Sequence, residues 1–310
     1  MDTSKFEVII APLGTLKDYT YTVNFCRYNG KWLYCRAKNR DVFETAGGTI
    51  ERGEAVLDAA KRELYEETGA IQYKIAPAFD YSVRRGESTD FTHGQVFVVE
   101  IHELGNMPDF EMAEVKAFDT IPDKMRFPEI LPVLFRNVQG WLTVQKSKQE
   151  IWDVYDGDRN LTGRTHRRGK KLPTGDYHLI AIILLQNSKG EFLIVRRSPL
   201  ITAPLVWNFP GGSAVAGDDS RITAVKELQE ETGLIVAPED GKLILSHKSS
   251  NGFFDIWHFK QDFNINDVVL QEGETIDAKS ATVEEIRLMV KSGEMYPSTY
   301  LDEVFSKLPK

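Results

Sequence analysis

Two β-rich or apolar runs, separated by polar turn residues, predict a β-hairpin in each half of the chain. Residues 21–38 read YTVNFCRYNGKWLYCRAK, which is two β-rich runs around Asn29-Gly30. Residues 178–198 read HLIAIILLQNSKGEFLIVRRS, which is two apolar runs separated by the turn residues 187–190. Turn sequences of this kind between apolar runs are the main short-range signal for a hairpin. We therefore predict paired strands near the start of each half, and a smaller hairpin that turns at 156–160.

A helix is predicted after each of two Gly-Gly pairs, because apolar residues recur there at three- and four-residue spacing. Gly69 and Gly233 supply the glycine that often lies just past a helix C-terminus. The apolar positions are Val56, Ala60 and Leu64 in the first helix and Ile222, Val225 and Leu228 in the second. The other predicted elements are strands at 95–101 and 253–259 and helices at 128–143, 282–292 and 298–308.

The two helices belong to an internal repeat that relates residues 47–71 to residues 211–235. Gly48 and Gly212 are 164 positions apart, and the glutamates of the two helices match at the same offset. A single offset along the whole stretch indicates a duplicated domain, since the period is far longer than that of a solenoid repeat.

The polar, lysine-rich segment 144–150 marks the predicted domain boundary. It gives an N-terminal domain at 1–146 and a C-terminal domain at 148–310. Each half is predicted to be α/β (α+β), as an α/β/α sandwich with a mixed sheet between helices.

Glu63, Glu66 and Glu67 lie at i, i+3 and i+4, so the predicted helix carries all three on one face. Like charges at this spacing repel one another and destabilise a bare helix. A solvated acidic face is the ordinary explanation for one such cluster, but this chain repeats the cluster behind a second Gly-Gly pair. A bound cation explains the repetition better, and oxygen ligands select Mg²⁺ or Mn²⁺.

Residues 48–70 resemble the signature sequence of the Nudix hydrolases, G-x5-E-x7-R-E-U-x-E-E-x-G-U, where U is aliphatic. We call this segment the first box. The first box differs from the signature only at the last aliphatic position, which is Ala70. Residues 212–234 form the second box, which has Asp218 in place of the first glutamate and Lys226 in place of the arginine. The matching residues are Gly48, Glu54, Arg62, Glu63, Leu64, Glu66, Glu67 and Gly69, and then Gly212, Glu227, Leu228, Glu230, Glu231, Gly233 and Leu234. The chain thus resembles two Nudix (MutT-like) domains in tandem.

The resemblance implies that water attacks a phosphorus of a nucleoside diphosphate linked to another moiety, with Mg²⁺ (or Mn²⁺) as the cofactor. In the first box it implies that the metal ligands are Glu66, Glu67 and the Gly47 carbonyl. The other implied roles are Glu63 as ligand or base, Glu54 as a supporting metal-site residue and Arg62 as the residue that orients the glutamates. In the second box the same roles fall to Glu230, Glu231, Gly211, Glu227, Asp218 and Lys226. The resemblance also implies a further carboxylate from a later loop, for which the candidates are Glu111 or Glu114 and Glu272 or Glu274. The other interpretation of each of these residues is an ordinary surface glutamate.

Features outside the boxes bear on the substrate. The first half resembles the MutT-like branch, which cleaves nucleoside triphosphates including oxidised dGTP. The second half resembles relatives of isopentenyl diphosphate isomerase but lacks the cysteine that this isomerase needs, so isomerisation is not expected.

Two sets of residues outside the boxes are each open to two interpretations. The aromatic residues that either stack on a base or pack in the core are Tyr28, Trp32 and Phe43. The basic residues that either receive phosphates or form a solvated loop are Arg164, Arg167, Arg168, Lys170 and Lys171.

Composition narrows the class of protein further. The 310 residues are 42% hydrophobic, which is enough apolar material for two cores and too much for a disordered chain. A net charge of −8 argues against a stable nucleic-acid complex. The two cysteines form no disulfide framework, and we find no membrane span or signal peptide. We expect a cytoplasmic enzyme for a small-molecule nucleotide or diphosphate substrate, as a homodimer or with its two domains paired. The alternative is a non-catalytic Nudix protein that binds or senses a metabolite.

Overall fold

The chain divides into two compact units, Met1–Trp141 and Leu142–Lys310, in a computed structural model that describes residues 6–106 and 112–308. Each unit contains a sheet with both parallel and antiparallel neighbours and a helix that carries one box. This arrangement confirms the predicted α/β class with mixed sheets.

The first unit is a six-stranded sheet with two helices. Its strands are β1 Phe6–Ala11, β2 Tyr19–Tyr28, β3 Lys31–Ala37, β4 Ala70–Arg85, β5 Thr92–Leu104 and β6 Met112–Phe118. Its helices are α1 Val56–Thr68 and the first part of α2 Leu131–Ser147, since the unit ends at Trp141 within that helix. The strand order is β1-β4-β5-β2-β3-β6, and β2 and β5 are parallel. The predicted hairpin turns at Asn29 and Gly30, which both have the positive φ that a tight β-hairpin turn requires.

Helix α2 continues beyond the predicted end at 143, so part of the segment predicted as a polar boundary is helical. Leu134, Val138 and Leu142 keep a four-residue spacing, and this periodicity outweighs the lysines and serine that follow.

Helix α1 packs on the sheet through a narrow apolar face. Its Leu64 is fully buried in a cluster that includes Cys26 of β2, Cys35 of β3 and Val99 of β5. Full burial of one leucine contributes about 2 kcal/mol. This packing fixes the rotation of the helix and therefore the positions of the glutamates on both sides of Leu64.

The second unit has a larger sheet and a separate hairpin. Its strands are β7 Ile151–Tyr155, β8 Leu161–Arg167, β9 His178–Gln186, β10 Phe192–Arg197, β11 Trp207–Asn208, β12 Gly211–Ser213, β13 Lys242–Lys248, β14 Gly252–Lys260 and β15 Thr275–Ala281. Its helices are α3 Ser220–Thr232, α4 Val283–Ser292 and α5 Leu301–Lys307. The order β11-β10-β9-β14-β13 is extended by β12 on β9 and by β15 on β10, while β7 and β8 pair separately.

Helix α3 repeats the packing of α1. Leu228 is fully buried with Ile183, Leu193 and Trp257, and Gly233 ends the helix with φ 71°. The predicted hairpin, box helix and terminal helices of this unit are therefore confirmed, with shifts of a few residues at their ends.

Candidate active sites

A close backbone approach requires glycine at the start of each box. A Cβ on Gly47 would lie 2.3 Å from the Thr22 carbonyl oxygen, and its φ of +152° is rare for other residues. The Gly47 N–H donates to Glu67 Oε2 at 2.7 Å, which ties the loop to the last glutamate of the box helix. Gly211 repeats the geometry, with its virtual Cβ 2.3 Å from the Ala181 carbonyl oxygen.

In the first box one guanidinium binds three carboxylates. Arg62 donates from Nε and Nη2 to both oxygens of Glu54, each at 3.0 Å. Its Nη1 donates to Glu63 at 2.8 Å and to Glu66 at 3.3 Å. These contacts raise the pKa of Arg62 and lower the pKa of Glu54. Burial raises the pKa of Glu63, and the charge and hydrogen bond of Arg62 oppose that shift. The structure thus brings together Glu54, Arg62, Glu63 and Glu66 as the sequence predicts.

In the second box the lysine holds one carboxylate only. Lys226 Nζ lies 2.9 Å and 2.7 Å from the two oxygens of Asp218. Burial, together with the charges of Glu230 and Glu274, raises the pKa of Glu227 to about 8. The lysine carries the same charge as the arginine but donates to one carboxylate, so Glu227 and Glu230 lack the hydrogen bonds that Arg62 gives to Glu63 and Glu66 in the first box.

The last glutamate of the second box is the most buried. Burial raises the pKa of Glu231 well above its usual range, and a hydrogen bond from the Gly211 backbone opposes the shift. Its Oε2 atom is buried without a hydrogen-bond partner. A buried carboxylate oxygen without a partner is costly unless a ligand satisfies it, so this atom fits a hard cation.

Of the two candidate loop glutamates of the second unit, Glu274 and not Glu272 acts on the box. Glu272 is exposed, whereas Glu274 is partly buried and its charge raises the pKa values of Glu227 and Glu231. Hydrogen bonds hold this loop at the end of the box helix, since Thr275 Oγ1 donates to the Glu231 carbonyl at 3.3 Å and the Val269 N–H donates to the Thr232 carbonyl at 2.8 Å. Thr275 also pairs with Arg197 at a bulge in the strand.

The first unit has the same bulge, where Met112 pairs with Ala37. The residue before Met112 in the sequence is Glu111, which lies outside the described residues. Glu114 pairs with Arg36 at 3.0 Å on the neighbouring strand instead.

Two arginines beside the second site were not among the predicted site residues. Arg197 is half-buried, and burial lowers its pKa while the charges of Glu231 and Glu274 oppose the shift. Ala37 occupies the matching register position in the first unit. Arg168 follows β8, and its charge acts on Glu227 and Glu274. Two features of the sequence could have pointed to these arginines: the Arg-Arg pair at the end of β10 and the basic run at 164–171.

A cavity of about 510 Å³ adjoins the first box loop and was not predicted. Gly47 and Gly48 line one side, and aromatic residues such as Tyr21 and Phe127 line the others. Thr22 also lines it, and its Oγ1 atom is buried without a hydrogen-bond partner.

The aromatic residues proposed for base stacking pack elsewhere. Trp32 is buried edge-on against Phe25 and Phe135, and Phe43 packs edge-on against Phe118. Tyr28 packs against the buried cluster around Leu64. The core interpretation of these three aromatic residues is therefore correct.

Neither box forms a ready-made metal cage. Within residues 6–106 and 112–308, no group of three or more His, Cys, Asp or Glu side chains stands in an arrangement that could hold a metal ion. In the first box, Arg62 Nη1 lies between Glu63 and Glu66, so both carboxylates are turned to the guanidinium. The donors are nonetheless carboxylate and carbonyl oxygens, which are the ligands that Mg²⁺ and Mn²⁺ prefer. The same described part of the chain has no helix with both the length and the apolar character to cross a membrane.

The fold and the two boxes define a protein of the Nudix class. The family model of the NUDIX domain matches residues 18–132 and 176–299. The chain belongs to the Nudix hydrolase family and carries two Nudix domains in tandem.

Relatives and solved structures each match about one half of the chain. An uncharacterized Nudix hydrolase of Listeria monocytogenes is 35% identical over 159 residues, which are 51% of this chain and 94% of that protein. A second, of Listeria innocua, is 34% identical over 158 residues, or 50% and 94%. The crystal structure of DR0079 from Deinococcus radiodurans matches with TM-score 0.44 and 16% identity over 52% of this chain and 100% of that one. A Bacillus subtilis pyrophosphohydrolase structure matches with TM-score 0.38 and 23% identity over 45% and 90%.

Proposed function

We propose that the protein is a Mg²⁺-dependent pyrophosphohydrolase that cleaves a diphosphate linkage in a nucleoside diphosphate-X or an (oxidised) nucleoside triphosphate. The observation that carries the proposal is the first box, where Arg62 holds Glu54, Glu63 and Glu66 together beside the Gly47–Glu67 contact. The family membership and the nearby cavity support it.

Each residue has a role in this proposal. Glu66, Glu67 and the Gly47 carbonyl would hold the metal ion, with Glu54 in support. The metal ion supplies positive charge that polarises the phosphoryl oxygens and acidifies the attacking water. Glu63 suits the role of base, because burial raises its pKa and a carboxylate with a raised pKa takes up a proton more readily.

For the second site we propose the same reaction at a lower rate or on a different substrate. Glu230, Glu231 and the Gly211 carbonyl would hold the metal, Asp218 would support it, and Glu227 would act as the base. Glu274 replaces Glu272 as the proposed loop carboxylate, since it is the one whose charge reaches the box. Lys226 cannot bind several carboxylates as a planar guanidinium does, which supports the difference in rate.

The test is phosphate release from a panel of nucleotides, nucleotide sugars and dinucleotides, with Mg²⁺ or with EDTA. Two double variants are compared, separately and combined in one chain: Glu66→Gln/Glu67→Gln for the first site and Glu230→Gln/Glu231→Gln for the second. We expect each pair to reduce turnover by orders of magnitude for its own substrates, with unchanged melting temperature. Full turnover by the quadruple variant would refute the assignment, and activity in EDTA would refute the metal requirement.

The same panel separates hydrolysis from the binding alternative and measures the asymmetry. Tight binding of a panel compound without any product would favour a sensor. Equal losses from both variant pairs on every substrate would contradict the proposed difference between the sites.

A further inference from the structure

The basic run of the second unit is not a uniform loop. Arg164 donates from its two Nη atoms to the carboxylate of Asp176 at 2.7 Å and 2.6 Å. Arg167 is exposed at the end of β8. Arg168 is partly buried and donates from Nη1 to Glu150 at 2.7 Å. The side chains of this run therefore have different partners, and only some of them can meet a ligand at the second box.

The β7–β8 hairpin is attached to the loop of the second box. The Ala216 N–H donates to the Ile151 carbonyl at 2.7 Å, and the Gly217 N–H donates to the Asp153 carboxylate at 2.7 Å. Both donors lie between the Gly-Gly pair and helix α3. The hairpin therefore forms one wall of the second site.

Glu150 and Arg168 lie together at the edge of this wall. Glu150 precedes the first residue of β7, and Arg168 follows the last residue of β8. The Arg168 N–H donates to the Glu150 carbonyl at 2.9 Å, in addition to the side-chain ion pair. Two contacts thus fix the guanidinium, which keeps 31% of its side chain exposed.

This ion pair lies next to the point where the hairpin is attached to the second box. Ile151, whose carbonyl accepts from the Ala216 N–H, directly follows Glu150 and pairs with Arg167. The charge of Arg168 also opposes the rise in the pKa values of Glu227 and Glu274 that their burial causes. The site is thus strongly acidic, and a diphosphate substrate adds further negative charge. Lys226 is engaged by Asp218, so the arginines that can add positive charge for the phosphates, beside the proposed metal ion, are Arg168 and Arg197.

We propose that Arg168, held in place by Glu150, is a substrate-binding residue of the second site that donates to a phosphate oxygen of the diphosphate. This inference rests on the proposed function of that site. Glu150 occupies Nη1 and leaves Nε and Nη2 for the phosphate, to which a guanidinium can donate in parallel.

The experiment uses the full chain with the first box disabled by Glu66→Gln/Glu67→Gln, so that the second site alone is observed. Inorganic pyrophosphate with Mg²⁺ is the probe, and calorimetry measures its Kd. Arg168→Gln is compared with Arg167→Gln, which makes the same change of charge one position away on an exposed side chain. We expect Arg168→Gln to weaken binding by roughly 10- to 100-fold, the loss of a charged hydrogen bond, and Arg167→Gln by less than about twofold.

Turnover gives a second readout. On the substrates of the second site, Arg168→Gln should raise KM by a similar factor with a small change in kcat, because the contact binds the substrate before reaction. Arg168→Lys keeps the charge but loses the parallel N–H donors of the guanidinium, so it should weaken binding by an intermediate factor. It also preserves the test if Arg168→Gln fails to fold, as judged by thermal melting.

Three results would overturn the inference. If Arg168→Gln and Arg167→Gln weaken pyrophosphate binding equally, the effect is general electrostatics and Arg168 is not a binding residue. If the parent neither binds pyrophosphate nor turns over any substrate, the proposed function of the second site fails and this inference fails with it. An active parent with a normal Arg168→Gln variant overturns the role of Arg168 alone.

Discussion

A single added methyl group at Gly48 should disable the first site without unfolding the domain. A Cβ on Gly48 would lie 2.3 Å from Glu63 Oε1 and 2.6 Å from its Cδ. Ordinary van der Waals contact begins near 3.4 Å, so the carboxylate must move by about 1 Å. Displacement of a reacting group on this scale costs about 100-fold in rate. We therefore expect Gly48→Ala to lower kcat by about two orders of magnitude.

The stability of the domain should change little, because the clash involves the far end of a flexible side chain rather than backbone. Two neighbouring glycines provide controls. Gly47→Ala places its Cβ 2.3 Å from the backbone oxygen of Thr22, so it should destabilise the whole domain. The added Cβ of Gly53→Ala would contact nothing within 4 Å, so kcat should be unchanged. The φ of +84° at this position favours glycine, so the substitution should cost about 1 kcal/mol of stability.

The assay is turnover of the best first-site substrate, with the second box disabled by Glu230→Gln/Glu231→Gln, alongside urea unfolding of each variant. A kcat within threefold of the parent, at unchanged stability, would refute the argument that Glu63 must occupy its observed position. A large loss of stability in Gly48→Ala would show that the strain falls on the backbone instead.

Other predictions follow from single contacts. Arg62→Lys should lower first-site kcat by at least about tenfold, since one ammonium cannot hold three carboxylates; equal kcat would contradict this. Fragments 1–146 and 148–310 should each unfold cooperatively in urea, and failure of both would disprove the boundary. Burial lowers the pKa of His178 to about 4, from 6.5 when unfolded. The unfolded chain therefore binds the extra proton first, and the second domain should lose about 2 to 3 kcal/mol as pH falls from 6.5 to 4. His178→Phe should flatten that slope in urea titrations, and an unchanged slope would exclude this histidine.

Features encoded by local spacing were predictable. The box helices, their glycine ends and the hairpins follow from apolar periodicity and turn chemistry, which depend on neighbouring residues only. The grouping of Glu63, Glu66 and Glu67 follows from the pitch of one helix. The replacement of Arg62 by Lys226 could also be seen, because it lies at the same position of the repeat.

Features that join distant segments were decided by the tertiary structure. Glu274 rather than Glu272 acts on the second box because hydrogen bonds from the Thr275 side chain and the Val269 N–H hold this loop at the end of α3, and no local pattern predicts such contacts. The cavity beside Gly47 is lined by strand residues and by the segment before α2, which are far apart in the sequence. Two hydrogen bonds between distant segments attach the hairpin that precedes Arg168 to the loop of the second box. The sequence by itself thus determined the family and the residues of the boxes, whereas long-range pairing determined which other side chains surround them.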